Sequence, residues 1–150
     1  MKTFENLEEF AAAAGTDLGS SDWFLVDQDR VNLFADATDD HQWIHVDLER
    51  AASGPFGGPI AHGLLTLSLL PVLMHGVYSV DGVTMGVNYG YNKVRFISPV
   101  PVGSKLRATA TLVEVTPVAG GVQGIVSVTV EIEGAAKPAC VAESIVRYLA

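Results

Sequence analysis

The sequence predicts an α+β fold in which a curved antiparallel sheet is laid against one buried helix. Two stretches carry this expectation. Residues 60–75 are apolar nearly all round, with Leu64, Leu65, Leu67, Leu69, Leu70, Val72 and Leu73 in one run. That is the pattern of a helix enclosed on several sides. Beyond residue 83 the period changes to two. Val122, Gly124, Val126, Val128, Val130 and Ile132 alternate with Gln123, Ser127, Thr129, Glu131 and Glu133, as in a strand with one face in a core and the other in water. A buried helix followed by four long strands implies segregated layers and an antiparallel sheet.

The remaining elements follow in order. Phe4, Leu7, Phe10, Ala11 and Ala14 recur at helical spacing until Gly15, which predicts a short helix on the outside of the domain. Trp23, Phe24, Leu25 and Val26 read as a strand. Asp27 is a suitable N-cap for a second helix whose buried face is Val31, Phe34, Ala35 and Thr38. That helix ends at Asp39 and Asp40. Asp47 can cap a further helical turn through Ala51, and the Gly- and Pro-rich residues 53–59 form a shaped loop. Pro71 should bend or shorten the last turn of the apolar helix. Residues 83–91 and 94–97 read as strand interrupted at Gly90, and residues 98–103 as a turn. Leu106, Ala108, Ala110 and Leu112 form the inner face of the next strand. Gly120 and Gly121 mark a hairpin, and residues 139–149 complete the sheet.

A chain of 150 residues with 49% hydrophobic and 17% charged residues is expected to fold as one globular domain, residues 1–150. No repeat or change of composition divides it. So few charges in a small chain favour an oligomer that hides apolar surface. The net charge of −8 repels phosphate backbones and anionic membranes, so neither nucleic acid nor a membrane is an expected partner. Glu5, Glu8 and Glu9 stand where a secretory signal would be apolar, and the apolar run 64–74 is short of the ~20 residues that span a bilayer. A soluble, cytoplasmic protein is the expectation. The single cysteine, Cys140, cannot form an intrachain disulfide and lies in an apolar run as a core residue.

The densest chemistry is the stretch Asp39, Asp40, His41, Gln42, Trp43, Ile44 and His45. A carboxylate beside an imidazole can orient it and share a water with it. Asp40 and His45 can meet across a turn. Equally, an aspartate here can simply end the helix, with His45 as a structural histidine. His41 and His45 have the i, i+4 spacing of a metal site, but the Glu of a zinc-protease helix is replaced by Gln42. No metal is therefore expected. Neither a serine-nucleophile elbow nor a phosphate-binding glycine loop is present. At His62 and Gly63 the apolar helix begins, either as an ordinary helix start with a small residue for packing or as a place where free N–H groups and a residue without a side chain suit a thioester carbonyl. Lys93, Arg95, Lys105 and Arg107 fall close together, either as a solvated strand face or as a grip for phosphates.

These residues resemble the hydratase-2 enzymes and MaoC-like dehydratases, in particular the short branch named after nodulation protein N. The carrying stretch runs from Phe34 through Asp40 and His45 to Ala51. His62-Gly63, and Arg95-Phe96 before the Pro-Val-Pro-Val-Gly turn, add to it. The family's Gly, Asn and Pro are here Asp39, Gln42 and Trp43. The resemblance implies a hotdog fold, a long central helix wrapped by a curved antiparallel sheet and paired edge to edge as a homodimer. It implies syn addition of water to a trans-2-enoyl-CoA, giving the (R)-3-hydroxyacyl-CoA, with Asp40 and His45 as the catalytic pair. Gly63, His62 and Gln42 are then the oxyanion and substrate-binding group. Lys93 and Arg95 are candidates for the CoA phosphates. No cofactor is implied, CoA being part of the substrate. The alternatives are a hotdog acyl-CoA thioesterase and a non-catalytic acyl-CoA-binding subunit.

Overall fold

The computed structural model describes residues 1–150. Its elements in chain order are β1 (Lys2–Phe4), α1 (Leu7–Ala12), β2 (Asp17–Ser20), β3 (Phe24–Leu25), α2 (Gln28–Thr38), α3 (Trp43–Val46), α4 (Leu48–Ala52), α5 (Gly63–Ser68), α6 (Leu70–His75), β4 (Tyr78–Val80), β5 (Met85–Phe96), β6 (Lys105–Val118), β7 (Gly121–Ile132) and β8 (Cys140–Leu149). Strands β2, β6, β7, β8 and β5 lie side by side in that order, and β3 also pairs with β6. All these pairings are antiparallel. β1 and β4 form a separate parallel pair. The six-stranded sheet is open, and its concave face packs against α5 and α6. This is a hotdog arrangement.

Alternation decides which face that is. On β6, Leu106, Ala108, Ala110 and Leu112 are buried, and on β7 Val126, Val128 and Val130. They meet Leu65, Leu69, Leu70 and Leu73 of the helices in one core. Burying side chains of this size contributes roughly 1.5–3 kcal/mol each before entropy is counted. Phe10 of α1 closes one end of the core. It stacks on Tyr78 at 5.8 Å and lies over Gly124, where an added Cβ would come within 3.2 Å of its ring. Gly124 is thus a requirement of close packing rather than of backbone conformation.

The central helix starts at Gly63 with His62 as its N-cap, the start read from the sequence, so residues 60 and 61 of the apolar run lie outside it. It departs from expectation in being broken at Leu69 into α5 and α6. Residues 60 and 61 are taken by the sheet side instead: Ile60 bridges Pro101, and the Ala61 N–H donates to Val100 O at 2.8 Å. The break follows from Pro71, which has no N–H for the carbonyl of Leu67 and whose ring crowds it. Nor is the helix enclosed all round, because an open sheet covers only one side. Leu64 is 60% exposed and Val72 46%.

Smaller differences have local causes. The first helix begins only at Leu7, where Asn6 Oδ1 accepts from the Glu9 N–H at 2.8 Å. Phe4 belongs to β1 instead. The strand expected over 23–26 is reduced to Phe24–Leu25. Gly90 does not interrupt β5, which absorbs two register shifts and runs unbroken for 12 residues. The caps at Asp27 and Asp47 are present, each accepting from the N–H three residues on.

Two leucines give a direct measure of the core. Leu106→Ala, at a fully buried position, should lower the unfolding free energy by about 2–5 kcal/mol. Leu33→Ala, on the outer face of α2 and 69% exposed, should change it by less than about 0.5 kcal/mol. Urea denaturation of the two variants checks the contrast.

Candidate active site

The site is built where the chain leaves α2. Thr38 ends the helix by donating to Phe34 O at 2.7 Å. Asp39 then takes the left-handed conformation, φ 57° and ψ 20°. That reversal sends Asp40 and Gln42 across to α3, which carries His45. The Gln42 N–H lies 3.4 Å from Asp40 Oδ1 and turns the carboxylate back along the loop. Gln42 itself is exposed.

His45 is buried, and its orientation is fixed at two points. Its Nδ1–H donates to the Ile60 carbonyl at 2.6 Å. A carbonyl can only accept, so Nδ1 carries the proton and Nε2 presents a lone pair. Its own carbonyl accepts from Gln28 Nε2 at 2.8 Å. Burial lowers the proton affinity of the ring, opposed by the bond to Ile60 and by the Asp40 carboxylate, so His45 titrates below its ordinary value of 6.5.

His62 joins the pair. Its ring stacks on His45 with centroids 3.8 Å apart and an interplanar angle of 25°, and Phe34 packs 4.9 Å away. Its Nε2–H donates to the main-chain oxygen of Asp40 at 2.9 Å. One side-chain donor atom from each of Asp40, His45 and His62 lies within 4.8 Å of the others. These are the residues that could hold a cation. However, imidazole lone pairs lie in the ring plane, and two nearly parallel stacked rings direct theirs side by side rather than towards one point. The arrangement suits hydrogen bonds to a small oxygen ligand better than a tetrahedral metal ion.

A cleft of about 240 Å³ opens against this group, lined by His45, Ile60, Gly63, Thr66, Phe96 and Ala139 among others. Gly63 opens α5, so its N–H has no carbonyl one turn back within the helix. The Phe96 ring lies where any larger residue would project, 3.0 Å from an added Cβ. Glycine leaves room there for the phenyl ring, and its main chain borders the cleft.

Other candidates lie apart. His41 is exposed and bonds Asp36 at 2.8 Å, and that carboxylate raises its proton affinity. The four basic residues do not form one patch, because β7 and β8 separate β5 from β6. Lys105 pairs with Glu133 at 3.7 Å and Arg107 with Glu131 at 2.6 Å. Lys93 and Arg95 are exposed on β5. They flank Val94, which packs on the core, so they project from the opposite, outer face. Cys140 is fully buried, and burial pushes its thiol up. Two residues of the site were not singled out from sequence: Gln28, which holds the His45 carbonyl, and Thr66, which lines the cleft. Thr66 had a signal, as one of two hydroxyl residues, with Ser68, within the apolar run.

Comparisons with known proteins agree with this architecture. The family model described as MaoC like domain matches residues 9–133. The chain is 64% identical, over all of both chains, to 3-hydroxyacyl-thioester dehydratase Z of Mycobacterium tuberculosis. It is 47% identical to nodulation protein N of Rhizobium meliloti, across 91% of this chain and 87% of that one. Among solved structures, an (R)-hydratase from A. caviae involved in PHA biosynthesis superposes with a TM-score of 0.71 at 23% identity, covering 85% of this chain and 93% of that one. The sequence and the fold together establish that this chain belongs to the MaoC-like domain family.

Proposed function

We propose that this chain is an (R)-specific enoyl-CoA hydratase, a hydro-lyase that adds water syn across a trans-2-enoyl-CoA and, in reverse, dehydrates the (R)-3-hydroxyacyl-CoA. The observation that carries the reading is two hydrogen-bond acceptors held together beside an apolar cleft. His45 Nε2 is an acceptor because Nδ1 is committed to Ile60. The Asp40 carboxylate, when ionised, accepts only. A water between them donates both protons and is left with its lone pairs free, one of which can point at carbon 3 of the substrate.

The reaction then balances. The water oxygen bonds to carbon 3 as one of its protons passes to the pair, and the carbon 2–carbon 3 π electrons move to carbon 2 and into the thioester. The Gly63 N–H stabilises the oxygen that gains charge. A proton returns from the pair to carbon 2 on the face from which water came, giving syn addition. No redox step is needed. The name of one curated relative, 3-hydroxyacyl-thioester dehydratase Z, and the apolar lining of the cleft support a thioester substrate. Of the four basic residues on β5 and β6, Lys93 and Arg95 are the two without a carboxylate partner, and they are the residues we assign to the CoA phosphates. A second copy of the chain pairing along β5 fits the open outer edge of that strand and its exposed Met85, Val87 and Tyr89.

Crotonyl-CoA separates hydration from hydrolysis. The conjugated-enone absorbance should fall without release of free thiol. Thiol release matching substrate loss would make the chain a thioesterase. Asp40→Asn and His45→Gln should each remain folded and lose ~10²–10⁴-fold in turnover, and wild-type rates in both would sink the assignment. The pH profile gives an independent check. His45 acts here as a neutral acceptor, and burial disfavours its protonated form, so kcat/KM should fall only as pH drops through a value below 6.5. The same sign applies to folding: this contribution is intact above 6.5 and is lost as pH falls through the lowered folded-state value.

A further inference from the structure

Three side-chain hydroxyls in these helices have a carbonyl four residues back within reach. Thr38 donates to Phe34 O at 2.7 Å, and Ser68 donates to Leu64 O at 2.7 Å. Thr66 does not follow them. Its main-chain N–H bonds His62 O at 3.2 Å, so the carbonyl is in place, yet the hydroxyl is turned away from it. Thr66 is 1% exposed, and its Oγ1 has no partner. Leaving a buried hydroxyl unpaired costs ~1–3 kcal/mol, so a group in this position calls for an explanation. It lines the same cleft as His45 and Gly63. A second orphan, Nδ1 of His62, belongs to the residue four positions earlier, on the same helical face.

The polar atoms in and beside the cleft divide into two kinds; His45, Gly63 and Thr66 line it, and Asp40 and His62 are grouped with His45 beside it. Asp40, His45 Nε2 and His62 Nδ1 accept. The Gly63 N–H and the Thr66 hydroxyl donate. Thr66 is three residues beyond Gly63, about 4.5 Å further along the helix axis. An acyl chain whose thioester carbonyl rests on Gly63 and which runs inward along the helix brings carbon 3, not the carbonyl, towards Thr66. Building on the hydration reading above, we propose that the Thr66 hydroxyl donates a hydrogen bond to the oxygen that is added to, or lost from, carbon 3. It is a substrate-contacting residue that favours the hydroxylated thioester over the enoyl one.

The chemistry is consistent. A water here has two protons, donated in hydrogen bonds to Asp40 and His45; one of them is transferred and the other stays on the oxygen. It also has two lone pairs. One attacks carbon 3 and the other accepts from Thr66. In the product the same oxygen keeps the Thr66 bond, whereas the enoyl thioester carries no oxygen there. No bond to Thr66 itself forms or breaks. The transition state and the hydroxylated thioester share the contact, and the enoyl state lacks it.

Thr66→Val keeps the shape and removes the hydroxyl. Both directions should lose about tenfold in kcat/KM, the upper end for one neutral hydrogen bond. The loss should fall on kcat for crotonyl-CoA hydration and on KM for (R)-3-hydroxybutyryl-CoA dehydration. Tm should be unchanged or higher, since an unpaired buried hydroxyl is gone. Thr66→Ser should recover the wild-type constants. Unaltered kinetics in Thr66→Val would overturn the proposal. So would KM values that rise equally for both thioesters, which would put the contact at the shared carbonyl. A lower Tm with kcat reduced alike and KM unchanged for both substrates would make the hydroxyl structural. If the wild-type chain turned over neither substrate, the hydration reading would fall. Calorimetric binding of (R)-3-hydroxybutyryl-CoA against butyryl-CoA, with and without Thr66→Val, would still decide the contact.

Discussion

The candidate active-site group hangs on the main chain of Ile60. Its carbonyl takes the Nδ1 proton of His45 at 2.6 Å, and its N–H donates to Ile44 O at 3.0 Å. The flanking residues are stitched to the sheet end, Ala61 N–H to Val100 O at 2.8 Å and Val102 N–H to Pro59 O at 2.9 Å. One short segment therefore fixes which nitrogen of His45 is protonated, how its ring is turned, and how far α3 stands from the start of α5. The bond lies in the interior, where its partners cannot exchange it for water, so the imidazole is held before any ligand arrives.

Around this clamp the protein tolerates what it avoids elsewhere. The buried side-chain atoms without partners are Gln28 Oε1, His62 Nδ1 and Thr66 Oγ1. Gln28 holds the His45 carbonyl, His62 stacks on the His45 ring, and Thr66 lines the cleft beside it. The rest of the core is aliphatic and aromatic, with Tyr78 and Tyr148 satisfying each other at 2.9 Å. Unsatisfied polarity is thus gathered at one place, as expected where a ligand and its water complete the hydrogen bonding.

How much of this could be read from the sequence depends on the range of the interaction. The alternation on β6 and β7 is a property of each strand alone, and it gave the sheet and its inner face. The caps at Asp27 and Asp47 are local for the same reason. Pro71 announced a bend, but not that Leu69 would become the break. That Ile60 and Ala61 would be bonded to the sheet end depends on Pro101 and Val100, some forty residues away. The family motif pointed to the Asp40–His45 pair. The stacking of His62, the grip of Gln28 and the isolation of the Thr66 hydroxyl are tertiary facts with no periodic signature. The basic residues are the reverse case. Near in sequence, they are parted by sheet order, which places two strands between β5 and β6.

Asp39 carries a consequence for how such chains diverge. Its backbone is left-handed, a region that glycine enters freely, that asparagine and aspartate tolerate, and that branched residues avoid. The related families place glycine there. Position 39 is therefore filtered by conformation, and its carboxylate is a by-product of that filter. The adjacent position, 40, has no left-handed backbone to satisfy and, on the hydration reading proposed above, is constrained through its side chain instead. Two neighbouring aspartates, indistinguishable in composition, would drift under separate rules: the first among Gly, Asn and Asp, the second only where another group can do the work of a carboxylate.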